Sequence, residues 1–149
     1  MQYENIYNYN WADLENDVNN LAQKIWIWRF KYILAVSKEW LVPAYYLANV
    51  LWIEVVKTLC LQPRIIGKAE TVLPMVEHRF EWLVEDIKTP KDWLVVNWLS
   101  DSQTLEYIKN KNQYLTTVSL LKKKDWGFSP DFFAREVENM IIKLPYKKN

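Results

Sequence analysis

The clearest pattern along the chain is a seam of apolar residues that opens just after Asn10. Leu14, Val18, Leu21, Ile25, Trp28, Tyr32 and Ala35 follow one another at alternating steps of four and three, a heptad spacing that predicts one long helix. Asn10 is a good N-cap, and Asp13 then falls in the first turn, where the helix dipole favours a carboxylate. A second stripe, Ala22, Trp26, Ile33, Val36 and Trp40, makes the later part of this helix apolar on two sides, as expected of a segment entering a core or an interface. Pro43 ends it, and residues 44–61 read as a second helix, apolar nearly all round and stopped by Pro63. Thr71 would cap a third helix whose inner face is Val76, Phe80, Leu83 and Ile87. Thr89-Pro90-Lys91-Asp92 is a start signal for a short fourth helix through Leu99, although Trp93-Leu94-Val95-Val96 within it would also suit a strand. A fifth helix is predicted over 102–124, with Leu105, Ile108, Leu115 and Val118 inward. A sixth begins at Ser129-Pro130-Asp131, carries Phe133, Val137, Met140 and Leu144, and is closed by Pro145.

The expected fold is therefore all-α: a bundle of five to six helices with no sheet, in a single domain over 1–149. Composition supports that expectation. Glycine occurs only twice, at Gly67 and Gly127, so turns that need a positive φ should be scarce and a hairpin-rich architecture disfavoured. No internal repeat or linker divides the chain.

Compartment follows from weaker signals. Cys60 is the single cysteine, so no intrachain disulfide can form. Met1-Gln2-Tyr3-Glu4-Asn5 has neither the basic nor the apolar part of a signal peptide. The most apolar stretch, 41–61, is interrupted by Pro43, Asn49, Glu54 and Lys57, and a charge in mid-membrane costs a few kcal/mol. A cytoplasmic chain is expected.

Reactive groups are few. His78 is the only histidine, so a site built on two of them is excluded within one chain. Its one-turn spacing to Glu81 reads as a surface ion pair or a solvated histidine, with a general-base role as the alternative. Cys60 has leucine neighbours and reads as an inert packed thiol. Glu54 either faces outward, pairs with Lys57 one turn later, or marks a subunit contact. Phosphate-cradling glycine loops and nucleophile elbows are absent. These readings predict no enzyme, no catalytic residue, no cofactor and no metal.

Two sets of residues offer themselves for binding. Lys24, Lys31 and Lys38 recur every seven residues, with Arg29 on the opposite flank. Arg64 and Lys68 bracket a connector, and Lys122, Lys123 and Lys124 form a further cluster. Cations about 10 Å apart along a helix can follow a phosphate backbone; alternatively, their stems cover the core and their heads stay in water. The second set is aromatic. Nine tryptophans exceed what one small core readily buries, and Trp26, Trp28, Trp40, Trp93, Trp98 and Trp126 are the candidates for a protein interface, against the alternative of an ordinary tryptophan-rich core.

In size, helicity and basic rows the chain resembles the small helical subunit of multi-subunit class 1 CRISPR effector complexes. The resemblance implies a non-enzymatic subunit of an antiviral assembly, present in several copies, packed against larger protein subunits and contacting the backbone of RNA or single-stranded DNA. The competing reading is a protein-only binder, such as an adaptor, inhibitor or immunity-type protein, using the tryptophan surface; a third is an enzyme or small-ligand binder with an apolar cavity among the aromatic helices.

Overall fold

The computed structural model describes residues 5–36, 40–59, 61–66, 69–74, 87–100, 104–125, 127–138 and 140–146. It is an α/β structure, and the all-α expectation is corrected by a five-stranded parallel sheet. The first helix begins as the sequence indicates. In α1 (Trp11–Ile25) the Asn10 side chain accepts from the Asp13 amide at 2.8 Å, and the Asp13 carboxylate accepts from the Asn10 amide at 3.0 Å, a closed capping box. Leu14, Val18, Leu21 and Ile25 are its buried seam.

The helix stops at Ile25, ten residues before the heptad pattern ends at Ala35. A 3₁₀ turn, Trp26–Trp28, leads to Arg29 in the left-handed region (φ 50°), and the chain then enters β2 (Tyr32–Val36). The same event recurs in the next unit. After α2 (Leu41–Leu51), Trp52 takes φ 59° and the chain enters β3 (Val55–Leu59). The two predicted long helices are thus each a helix followed by a strand.

Strands β4 (Leu61–Ile66) and β5 (Ala69–Pro74) form an antiparallel pair where the second helix was to end and the third to start. The rest of that third helix, with Val76, His78, Phe80, Glu81 and Leu83, lies outside the described residues, as does Cys60. The Thr89-Pro90 start signal produces only a 3₁₀ turn, Pro90–Asp92, before β6 (Trp93–Ser100). Helix α3 (Thr104–Lys111) and β7 (Thr116–Lys123) replace the fifth helix. β8 (Phe132–Val137) and β9 (Ile141–Lys143) replace the sixth, and β9 pairs in parallel with β1 (Ile6–Asn8) near the chain's start.

The main sheet has the order β3-β2-β6-β7-β8, with every neighbouring pair parallel. Its central strands, β2, β6 and β7, are covered on both faces, so their apolar residues run on without the in-out alternation of a half-exposed strand. Ile33, Ala35, Leu94, Val96, Trp98, Val118 and Leu120 pack toward α1 and α2. Leu34, Trp93 and Val95 join Leu105, Ile108 and Leu115 on the α3 side. A fully buried leucine contributes roughly 1.5–3 kcal/mol of transfer free energy, and this double-sided burial outweighs the helix propensity of the same segments.

Candidate functional site at the carboxyl edge

Numbered along the chain, the five main strands lie in the order second, first, third, fourth, fifth. The chain therefore runs outward in opposite directions from the β2–β6 pair, and open α/β sheets bind ligands in the crevice at the carboxyl ends of such a pair. β2 ends at Val36 and β6 at Ser100. Both strands are followed by helices, α2 and α3, whose N-terminal amides belong to this same edge.

Polar groups gather around the end of β6. Asn97 is buried, and its side-chain oxygen accepts a 2.9 Å hydrogen bond from Ser119, its register partner on β7. Thr104, the first residue of α3, is buried as well. Beside Ser100 in register lies Lys122, which begins the Lys122-Lys123-Lys124 cluster at the carboxyl end of β7. Lys122 pairs with Glu136 at 3.2 Å and lies 5.2 Å from the centre of the Phe133 ring. Lys124 pairs with Glu138 at 2.9 Å, and that hydrogen bond holds its ammonium above the ordinary lysine range.

The flank of this edge is built by the chain's two ends. Buried Asp17 accepts from Tyr9 Oη at 2.6 Å and from Arg135 Nε at 3.0 Å, and Arg135 also donates to Tyr7 Oη at 3.0 Å. Tyr9 packs edge-on against Trp98, 4.9 Å between ring centres, and Tyr146 lies 5.9 Å from Trp98. Burial, the bond to Asp17 and the charge of Asp17 together push the Tyr9 phenol above its ordinary range. For Arg135, burial disfavours the charged form, but Tyr7 and Asp17 outweigh it and the guanidinium is held above its ordinary value.

Among the described residues the remaining predicted cations do not assemble. Lys24 and Lys31 do not share a helix, because α1 ends at Ile25. Lys24 donates to the carbonyls of Phe133 and Ala134 at 2.7 and 3.2 Å, and Lys31 pairs with Asp92 at 3.6 Å, both at the amino edge. Arg29 sits in the left-handed turn, Arg64 lies in β4, and Lys38 and Lys68 lie outside the described residues. Among the tryptophans, Trp26 and Trp28 are exposed and Trp40 is half-buried, whereas Trp93 and Trp98 are core residues, placed there by the two covered faces of β6. Trp126 lies outside the described residues. Glu54 is exposed on the connection after α2, beyond the helix that was to pair it with Lys57. Of the carboxyl edge, sequence reasoning singled out only Lys122, Lys123 and Lys124, since strand order is invisible in a single sequence. Among the described residues there is no cluster of three or more His, Cys, Asp or Glu side chains able to hold a metal, and no helix is long and apolar enough to cross a membrane.

No protein-family model matches the sequence, and no curated protein does. Solved structures do match the fold. The purine phosphoribosyltransferase from Pyrococcus horikoshii superposes with a TM-score of 0.78 at 20% identity, over 97% of this chain and 95% of that one. A hypothetical protein from Neisseria gonorrhoeae with bound ppGpp gives 0.77 at 19%, over 99% and 92%. The xanthine-guanine-hypoxanthine phosphoribosyltransferase of Helicobacter pylori gives 0.64 at 16%, over 95% and 92%. These matches correct the resemblance to a CRISPR small subunit, and with it the reading as a non-enzymatic nucleic-acid-contacting subunit or a protein-only adaptor. They also remove the step from missing motifs to no enzyme, because the named phosphoribosyltransferases are enzymes on this same scaffold. The chain has the α/β fold of the purine phosphoribosyltransferases over nearly its whole length.

Proposed function

We propose that the protein binds a phosphorylated ribose ligand of the purine nucleotide class at the carboxyl edge of β2 and β6, and that its reaction class is phosphoribosyl transfer to a purine base. The observation that carries this reading is the end-to-end match to the Pyrococcus enzyme, which spans the edge as well as the scaffold. The Neisseria protein, crystallised with a guanosine nucleotide, points to the same ligand class. The local chemistry agrees. Two helix N-termini, those of α2 and α3, favour anionic phosphate. A cytoplasmic location goes with a nucleotide ligand.

The test uses the full chain with Mg²⁺, an activated 5-phosphoribosyl donor and, in turn, hypoxanthine, guanine and xanthine, with chromatography of the nucleotide products. Formation of a nucleotide from any of them supports transfer. Absence of product together with calorimetric binding of GMP or ppGpp keeps the ligand class and removes the reaction. Absence of both overturns the proposal.

A further inference from the structure

The amino edge of the main sheet lies opposite the carboxyl edge, roughly 26 Å away along the eight residues of β6. Three of the entries into its strands expose large side chains. Trp26–Trp28 precedes β2, Trp52 precedes β3 and Tyr114 precedes β7. Trp52 is 91% exposed and Tyr114 62%. The Trp28 ring lies 6.2 Å from Phe132, the first residue of β8, so this turn stands at one end of the row of strands and Trp52 at the other. Strands about 4.8 Å apart put roughly 19 Å between those ends.

Trp26, Ile27 and Trp28 are 62, 60 and 61% exposed at three successive positions. A 3₁₀ helix has about three residues per turn, so these side chains radiate roughly 120° apart. A rigid partner pressed on the turn from one side covers two of them at most. All three are covered together only when the tip sinks into a soft medium that closes round it. Charge identifies that medium. Among the described residues of this edge, Lys24, Arg29, Lys31 and Lys91 are exposed cations, and the acids are Glu54, Asp92 and Asp131. Asp131 is already engaged by Lys109 at 2.8 Å, and Lys31, 3.6 Å from Asp92, keeps 67% of its side chain exposed. Lys24 is held by the carbonyls of Phe133 and Ala134, which fixes its charge beside the Trp26–Trp28 turn.

We propose that the amino edge docks on an anionic phospholipid bilayer, with Trp26, Ile27, Trp28 and Trp52 seated among the headgroups and the cations against the lipid phosphates. Indole favours that depth because its ring is apolar while its N–H still reaches a polar partner. Apolar side chains framed by lysine and arginine meet both needs of interfacial binding: attraction to anionic headgroups brings the chain to the surface, and apolar burial keeps it there. The docking is peripheral, since no described helix is long and apolar enough to cross a membrane. It leaves the carboxyl edge facing solvent, so the inference is independent of the ligand proposed there.

Co-sedimentation of the full chain with phosphatidylcholine vesicles, with and without phosphatidylglycerol, tests this at low and at high salt. The chain should pellet with the anionic vesicles at low salt and be released as salt rises. Trp26→Ala combined with Trp28→Ala should weaken binding about tenfold or more. Arg29→Gln combined with Lys91→Gln should weaken it roughly twenty-fivefold, about fivefold for each charge near the surface. Tyr45→Ala, on the exposed side of α2 and away from this edge, should bind like the parent. Circular dichroism of all three variants should match the parent, because the altered side chains are exposed. A chain that stays in solution with both kinds of vesicle overturns the proposal, including one whose tryptophan pair instead joins a protein partner. So does binding indifferent to both edge variants, or binding lost through Tyr45→Ala alone.

Discussion

Arg135 donates from Nε to both carboxylate oxygens of Asp17, at 3.0 and 3.1 Å, across 118 residues of sequence. The pair fastens the first helix to the last strand of the main sheet. Asp17 is almost wholly buried and sits on the face of α1 that also carries Leu14 and Leu21. Removing it strands a partly buried guanidinium and the Tyr9 hydroxyl together. Asp17→Ala should therefore lower stability by about 3 kcal/mol, near the low end for breaking a buried pair because Arg135 keeps some contact with water. Urea unfolding at neutral pH measures it, and an unchanged midpoint would show that the network adds nothing.

Tyr9 makes the same carboxylate sensitive to alkali. Its phenol is raised by burial and by Asp17, so in the folded chain it stays protonated past about pH 10, where the unfolded chain ionises. Its contribution is complete below that value and is lost as pH rises above it. Tyr9→Phe should cost about 1 kcal/mol at neutral pH. Above pH 10 the gap should shrink at up to about 1.4 kcal/mol per pH unit, close within about one unit and then reverse. Paired urea titrations across that range would show a constant gap if the phenol titrated normally.

The start of α1 was legible because its signal is local. Asn10 and Asp13 satisfy each other's amides whatever the rest of the chain does, and Asn10→Ala should cost about 1 kcal/mol, read as a lowered thermal midpoint. No change in that midpoint would mean that solvent caps the helix equally well.

The helix ends were not legible. Trp28, Tyr32 and Ala35 continue the heptad by coincidence, yet they lie beyond Ile25, and Ala35 is buried by the sheet. Nothing in a periodic pattern distinguishes a two-sided buried strand from a buried helix when the run is short. Trp93-Leu94-Val95-Val96 was ambiguous for this reason, and its β-branched pair fell to the strand. The carboxyl edge was further out of reach, because a switch point is a property of strand order. Asn97 and Ser119 become neighbours only through the β6–β7 register.

The shortage of glycine misled for a definable reason. It makes left-handed turns look scarce, whereas Arg29 and Trp52 occupy them at φ 50° and 59° and so redirect the chain from helix to strand. A side chain in that region costs roughly 1–2 kcal/mol that glycine would avoid, offset partly by the greater freedom glycine has when unfolded. Arg29 is the site to test. Arg29 is exposed, so its replacement should leave the core undisturbed. Arg29→Gly should raise stability by roughly 0.5–1 kcal/mol, whereas Arg29→Val should lower it, because a β-branched side chain tolerates positive φ least well. Thermal unfolding of the two variants beside the parent decides the matter. If glycine fails to outrank the parent, or valine matches it, the turn after α1 is not where the chain stores this strain.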